Sequence, residues 1–210
     1  MNNFYDIHKG ETCLLVGNAP NLHKTPPELF DYPSFGLNTI FYYEGWKPTY
    51  FVAVDEGVFE LFGEIVNEKY EGIPKFVSTP TLDVWQGEDV YHFKKVTGDI
   101  RLPKREDVFK SLTYHNVMNA AMILAWHMGF TTILIIGMEQ KPGKGELKKH
   151  FWGTFDPEPD NQTDEHWNIG YSSIIRAMNG VKVLNISQDT YVPESIIQRD
   201  DWRKYAKVTA

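Results

Sequence analysis

Short aliphatic runs alternate with amphipathic segments along this chain, and no other feature of the sequence restricts the fold as tightly. Residues 13–16, Ser34–Leu37, 50–54, Lys75–Ser78, Thr132–Ile136 and 181–186 read as strands, with Val90–Phe93 as an edge strand. Val58, Leu61, Phe62, Ile65 and Val66 form one helical stripe. Val117, Ala120, Ala121, Leu124, Ala125 and Met128 recur at spacings of three and four before Gly129 closes a second helix. Strands separated by helices predict a parallel sheet, and the run 132–136, apolar on both faces, suits its centre. The expected fold class is α/β: a Rossmann-like, mostly parallel sheet flanked by helices, in a single domain over residues 1–210.

Weaker signals fill the gaps. Thr25-Pro26-Pro27-Glu28 has the form of a capping box with proline in the first turn, so a short helix is expected after the first strand. Residues 97–110 are polar and read as a loop. A helix is expected over 172–178, stopped by Asn179-Gly180, and a terminal helix after Pro193 carrying Ile196, Ile197, Trp202 and Tyr205. Between residues 139 and 166 the periodicity fails: eleven of twenty-eight side chains are charged, and Pro142, Pro157 and Pro159 interrupt the run, which predicts a lid-like insertion.

Lys and Arg number 21 against 28 Asp and Glu, a net charge of −7, so a nucleic acid backbone is not an expected partner. No apolar run approaches the roughly 18 to 20 residues a membrane span needs. The first residues have neither the basic nor the apolar region of a secretory leader, so a cytoplasmic setting is expected and the sequons at Asn161 and Asn185 are idle. Cys13 is the only cysteine, which excludes an intrachain disulfide. The seven histidines include no H-x-x-x-H pair, so no histidine zinc site is expected.

In open α/β sheets ligands collect beyond the carboxyl ends of the strands. There the sequence places Gly17, Asn18, Ala19 and Asn21, then Asn38, Asp55, Gly137, Glu139, Ser187 and Thr190. The set is polar but nearly uncharged, and it can hold phosphate through amides and backbone N–H groups without a lysine. The turn at residues 17–22 has one glycine and no Gly-Lys-Ser/Thr, so it is neither a dinucleotide fingerprint nor a P-loop. Asn18 equally suits capping its own turn, and Asn38 and Asp55 equally suit helix caps. Tyr42, Tyr43, Trp46, Trp152 and Trp167 fall near strand ends or loops, where rings can stack on sugars or bases as well as fill a core.

Leu15-Val16-Gly17-Asn18-Ala19-Pro20-Asn21-Leu22, Phe35-Gly36-Leu37-Asn38, residues 48–55, and residues 120–129 leading into Ile133-Leu134-Ile135-Ile136-Gly137-Met138-Glu139 occur in that order. Over about residues 12–190 this pattern resembles the bacterial sialyltransferase-like fold. Its relatives include Campylobacter-type α-2,3-sialyltransferases and the MptE-like family, to which archaeal 6-hydroxymethylpterin pyrophosphokinases belong. The resemblance implies that Asn18 and Asn38 donate amides to a donor phosphate, with Gly17 allowing close approach and Ala19, Asn116 and Gly137 beside the nucleotide. Glu139 falls where the sialyltransferases have Asp. The stretch His166-Trp167-Asn168-Ile169-Gly170-Tyr171-Ser172 is similar to a family segment carrying the base, which points to His166, with His150 second. Ala19 replaces a glycine, Asn116 stands near an expected Thr or Ser, and Tyr171 replaces a histidine.

Three functions follow as expectations. The first is a glycosyltransferase that moves a sugar from a nucleotide donor, CMP-linked, to a glycan or other hydroxyl acceptor by inverting displacement, with no cofactor or metal required. The second is an MptE-like pyrophosphokinase passing diphosphate from ATP to a pterin-like alcohol, with Asp55 and Glu139 holding Mg²⁺. The third is a non-catalytic, ligand-binding descendant of either.

Overall fold

The computed structural model describes residues 4–78, 85–140, 150–153 and 164–206, with the side chains of 164–166 left aside. Its strands are β1 (Thr12–Val16), β2 (Ser34–Leu37), β3 (Tyr50–Ala53), β4 (Lys75–Ser78), β5 (Val90–Phe93), β6 (Thr132–Ile136), β7 (Lys182–Asn185) and β8 (Gln198–Arg199). The helices are α1 (Glu56–Lys69), α2 (Val117–His127) and α3 (Asp164–Ala177). All eight strands form one sheet in the order β5-β4-β3-β2-β1-β6-β7-β8, and every neighbouring pair is parallel. The α/β expectation is met, with β5 at an edge as its sequence suggested.

The longest register joins β1 to β6, from Thr12 opposite Thr132 to Val16 opposite Ile136. Alternation along these strands splits the core in two. Cys13, Leu15, Ile133, Ile135, Phe35 and Val52 face α2, whose Ala120, Ala121 and Ala125 let the helix lie close to the sheet. Leu14, Val16, Leu134, Ile136, Phe51 and Val77 face the other way and pack with α1. Both faces are therefore covered, as a fully parallel sheet requires. Lys75 is buried within this frame, its Nζ donating to Asp89 Oδ2 at 2.6 Å and to the carbonyl of Ile73 at 3.2 Å.

Several local expectations are corrected. The capping box at Thr25 does not form: Pro27–Asp31 is a 3-10 turn capped at Pro26 with no side-chain bond. Too few residues separate it from β2 for an α-helix to propagate. The stripe on α1 is rotated: Val58, Phe59, Gly63 and Val66 are buried, while Leu61 and Ile65 are exposed. Gly63 explains this, because the Trp85 indole nitrogen lies 2.8 Å from where a Cβ would stand. The helix expected at 172–178 begins at Asp164. The tail after Pro193 forms β8 and a 3-10 turn (Trp202–Lys204) instead of a helix. There Arg199 donates to the carbonyls of Thr190 and Val192, and Leu184 and Asn185 pair with Gln198 and Arg199. Of the lid-like stretch 139–166, residues 141–149 and 154–163 lie outside the described residues. No helix among the described residues is long and apolar enough to cross a membrane.

Residues 4–10 dock on the end of α2. Asp6 N and His8 N donate to the carbonyls of His127 and Met128, and Arg105 Nε donates to that of Trp126 at 2.7 Å. His127 is fully buried; its Nδ1–H donates to the Arg105 carbonyl at 2.5 Å, and its Nε2 has no partner. Burial holds the imidazole pKa below its usual 6.5, opposed by the hydrogen bond to the Arg105 carbonyl and by the Asp6 carboxylate, while the Arg105 guanidinium pushes the same way as burial. The folded state thus favours neutral His127. Its stabilising effect is complete above the unfolded pKa and is lost as pH falls below 6.5, at about 1.4 kcal/mol for each unit of depression. A His127→Asn variant keeps an amide donor for the Arg105 carbonyl and has nothing to protonate. Urea denaturation from pH 7 to pH 5 should show the wild-type midpoint falling more steeply than the variant's, and equal slopes would remove His127 as the cause.

Candidate functional site

The strand order reverses between β1 and β6, so their carboxyl ends part into the crevice where open α/β sheets take ligands. Gly17 and Gly137 stand there in backbone contact. A Cβ on Gly17 would lie 2.5 Å from the Gly137 carbonyl oxygen, and one on Gly137 would press on the Gly17 carbonyl. Gly137 also has φ of +64°, a left-handed backbone that side chains disfavour. Gly17 N–H donates to the Ile136 carbonyl and Ala19 N–H to that of Gly137, both at 2.9 Å. Close approach at Gly17 is real, but it serves the neighbouring turn, and two backbone donors of the first turn are already used.

Asn18 and Asn38 come together on this rim. Asn18 Nδ2 donates to the carbonyl of Leu37, the residue before Asn38, at 2.8 Å. Asn38 has φ of +46°; its Nδ2 donates to Asp55 Oδ2 and its Oδ1 accepts from Val54 N–H at 3.4 Å. Each amide thus spends one proton inside the fold and keeps one. Asp55 caps no N–H of α1 with its side chain, so its role as a helix cap is not observed. Asn116 does cap α2: its Oδ1 accepts from Asn119 N–H at 3.0 Å and its Nδ2 donates to Tyr171 Oη at 2.9 Å. Tyr114 donates to Ser78 Oγ at 2.8 Å, and burial pushes its phenol pKa up to about 12, so it stays protonated at neutral pH.

Residues 150–153 cross the same rim. Phe151 N–H donates to the Asn18 carbonyl at 2.8 Å, and Trp152 Nε1–H donates to Thr39 Oγ1 at 3.1 Å. The His150 ring stacks on Trp152 with centroids 5.3 Å apart, and Tyr42 lies 4.9 Å away on that indole. His150 is thereby placed beside Asn18 and Asn38 through the chain that carries it. His166 sits in the first turn of α3, its side chain outside the described ones.

Glu139 follows β6, where its carbonyl accepts from Tyr191 N–H at 2.8 Å. Its carboxylate adds to the pull on Lys24, whose pKa is raised chiefly by a hydrogen bond to Asp189. β3 and β6, which lead to Asp55 and Glu139, stand three places apart in the sheet, about 14 Å at the usual strand spacing. Among the described residues, no group of three or more His, Cys, Asp or Glu side chains is placed to hold a metal ion.

The polar atoms left over at this edge carry no signature in the sequence. Asn18 Oδ1, Asn21 Oδ1 and both polar atoms of the Gln140 side chain are buried without a hydrogen-bond partner among the described residues. Leaving such a group without a partner costs about 1–3 kcal/mol, so these are the atoms at this edge that a further hydrogen bond would stabilise. Gln140 lies four residues beyond β6 with φ of +49°, a strain no sequence pattern signals.

No protein-family model and no curated protein matches the sequence. Solved structures do align. A glycosyltransferase from Magnetospirillum magneticum superposes with a TM-score of 0.59 at 12% identity over 97% of this chain, which spans 36% of the length of that one. The Campylobacter jejuni sialyltransferase CstII, solved with cytidine-5'-monophosphate, gives 0.53 at 14% identity, covering 90% of this chain and 84% of that one. The sialyltransferase CST-II with a trisaccharide acceptor and CMP gives 0.50 at 14% identity over 89% and 85%. The chain shares the glycosyltransferase fold of these proteins.

The glycine contact yields a test. Gly17→Ala should lower the melting temperature by on the order of 4–8 °C, the effect of about 2 kcal/mol in a chain of this size. Gly45→Ala supplies the comparison, having φ of +79° but nothing within 4 Å of a new Cβ, and should cost about half as much. Equal, small shifts would show that the two turns can part freely.

Proposed function

We propose that this chain binds a nucleotide-activated sugar, CMP-linked, in the crevice between β1 and β6 and transfers the sugar to an acceptor hydroxyl in the cytoplasm. The observation that carries the reading is the set of buried side-chain atoms on the carboxyl edge of the sheet, Asn18 Oδ1, Asn21 Oδ1 and the Gln140 amide, that have no hydrogen-bond partner among the described residues. A neutral lining of this kind fits the uncharged edge of a base and the hydroxyls of a sugar. The fold shared with glycosyltransferases and sialyltransferases supports the same reaction class.

Transfer proceeds by direct displacement. The acceptor oxygen attacks the anomeric carbon, the bond from that carbon to the phosphate oxygen breaks, and the electron pair leaves on the phosphate. The acceptor proton passes to an imidazole, assigned to His166 on α3 with His150 as the other candidate, and a positioned base supplies roughly 10² to 10⁴ in rate. Asn18 and Asn38 offer their remaining amide protons to the phosphate as charge builds there, and Asn116 at the start of α2 places a helix N-terminus on the same edge. Trp152, held by Thr39 over this rim, gives the bound ring an aromatic neighbour. No step calls on a divalent cation.

CMP should raise the melting temperature, by about 2.7 kcal/mol of added stability at a hundred times its dissociation constant, and should change the emission of Trp152 in a way lost in Trp152→Phe. Asn18→Ala should lower turnover about 10²- to 10³-fold at saturating donor, with its melting temperature recorded to separate a folding defect. Turnover should persist in excess EDTA. Silence toward CMP, CDP and UDP alike would end the reading, and Mg²⁺-dependent turnover with ATP would replace it with diphosphate transfer.

A further inference from the structure

A groove of about 510 Å³ runs along the outer side of α3, lined by Asn168, Ile169, Ser172, Ser173, Arg176 and Ile196. Its volume lies within the usual range for small-molecule sites. Nothing in the crevice between β1 and β6 uses these residues. On α3 they fall at i, i+1, i+4, i+5 and i+8, one continuous strip about 12 Å long that starts two residues beyond His166.

The chemistry of the strip is specific. Arg176 is exposed and, among the described residues, makes no ion pair and no hydrogen bond, in a chain whose net charge is −7. Arginine presents a planar fork matched to a carboxylate. Ser172 Oγ–H is spent on the carbonyl of Asn168 at 2.9 Å, leaving the oxygen as an acceptor, while Ser173 has no side-chain hydrogen bond among the described residues. Among the described residues, Asn168 Oδ1 is buried without a donor. Ile169, 56% exposed, and Ile196 supply an apolar wall beside these groups. A ligand that answers all of them carries one carboxylate, several hydroxyls and a C–H face.

We infer that this groove binds an acidic sugar residue of the acceptor, its carboxylate on Arg176, its hydroxyls on Ser173 and Asn168, and its apolar face on Ile169 and Ile196. The inference rests on the transferase reading for the word acceptor, but the groove itself is a separate site. The groove and His166 lie on the same helix, so the proposed acceptor site and the proposed base share one element.

The test uses the full chain and two probes that differ at one carbon, D-glucuronate and D-glucose, read by saturation-transfer NMR and by amide shifts of residues 168–176. Glucuronate should bind at least tenfold more tightly than glucose, and the preference should shrink as salt is raised from about 20 to 500 mM, since an exposed arginine–carboxylate pair is screened. Arg176→Gln should erase the preference, and Ser173→Ala should weaken both sugars about equally. Binding of the two sugars with equal affinity, binding of neither, or an unchanged preference in Arg176→Gln would overturn the assignment. A CMP titration of the same wild-type sample keeps the outcomes apart. CMP binding without glucuronate selectivity would sink the groove alone, whereas glucuronate selectivity without CMP binding would sink the donor reading and leave the groove standing.

Discussion

Everything at the carboxyl edge depends on two peptide backbones being allowed to touch. β1 and β6 are neighbours by pairing but are separated by four other strands and two helices in sequence, and the turns leaving them must cross at once because both strands end at the same level. Gly17 and Gly137 make that crossing possible by having nothing to put between the chains. The turns are then locked by hydrogen bonds from Gly17 and Ala19, which aim Asn18 at Leu37 and so bring the second strand's turn into the same space. A crevice follows from this closure, since one turn leads toward β2 and the other toward β7.

The remaining structure makes that edge stiff. α2 is buried on almost every side, with alanines against the sheet and an N-terminus tied by Asn116 both to its own first turn and to Tyr171 of α3. Its other end is held by the N-terminal residues and Arg105. A helix fixed at both ends keeps the platform under the crevice still, while the short segment 150–153 is fastened above it by bonds from Phe151 N–H to Asn18, from the Trp152 indole to Thr39 and from the His23 ring to the Phe151 carbonyl. Preorganised amides are worth more to a developing charge than amides that must first turn toward it.

The strands were readable from sequence because a parallel sheet with both faces covered demands aliphatic runs such as 132–136, and those runs have no competing interpretation. The carboxyl-edge positions of Asn18, Asn38 and Gly137 followed from the strand ends alone. What stayed hidden depends on partners distant in sequence. The face of α1 is set by Trp85 seating on Gly63, which no helical periodicity can show. The tail has the apolar spacing of a helix, yet pairing with β7 and the reach of Arg199 to Thr190 and Val192 draw it out as a strand. Gly17 reads as room for a phosphate until the sheet order reveals Gly137 already in that room. The orphaned amide of Gln140 and the strip on α3 were invisible for the same reason, since a missing partner is a property of three dimensions.

The far end of the sheet carries a last consequence. An eight-stranded open sheet has two borders with unpaired backbone groups, and such borders recruit strands from other molecules. Here the β7 border is finished by β8, only two residues long and made of exposed Gln198 and Arg199. A border this brief and polar, with one side chain turned back to bond the loop before it, offers an incoming chain almost nothing to zip onto. The departure from a terminal helix therefore gives the fold a guard against edge-to-edge aggregation.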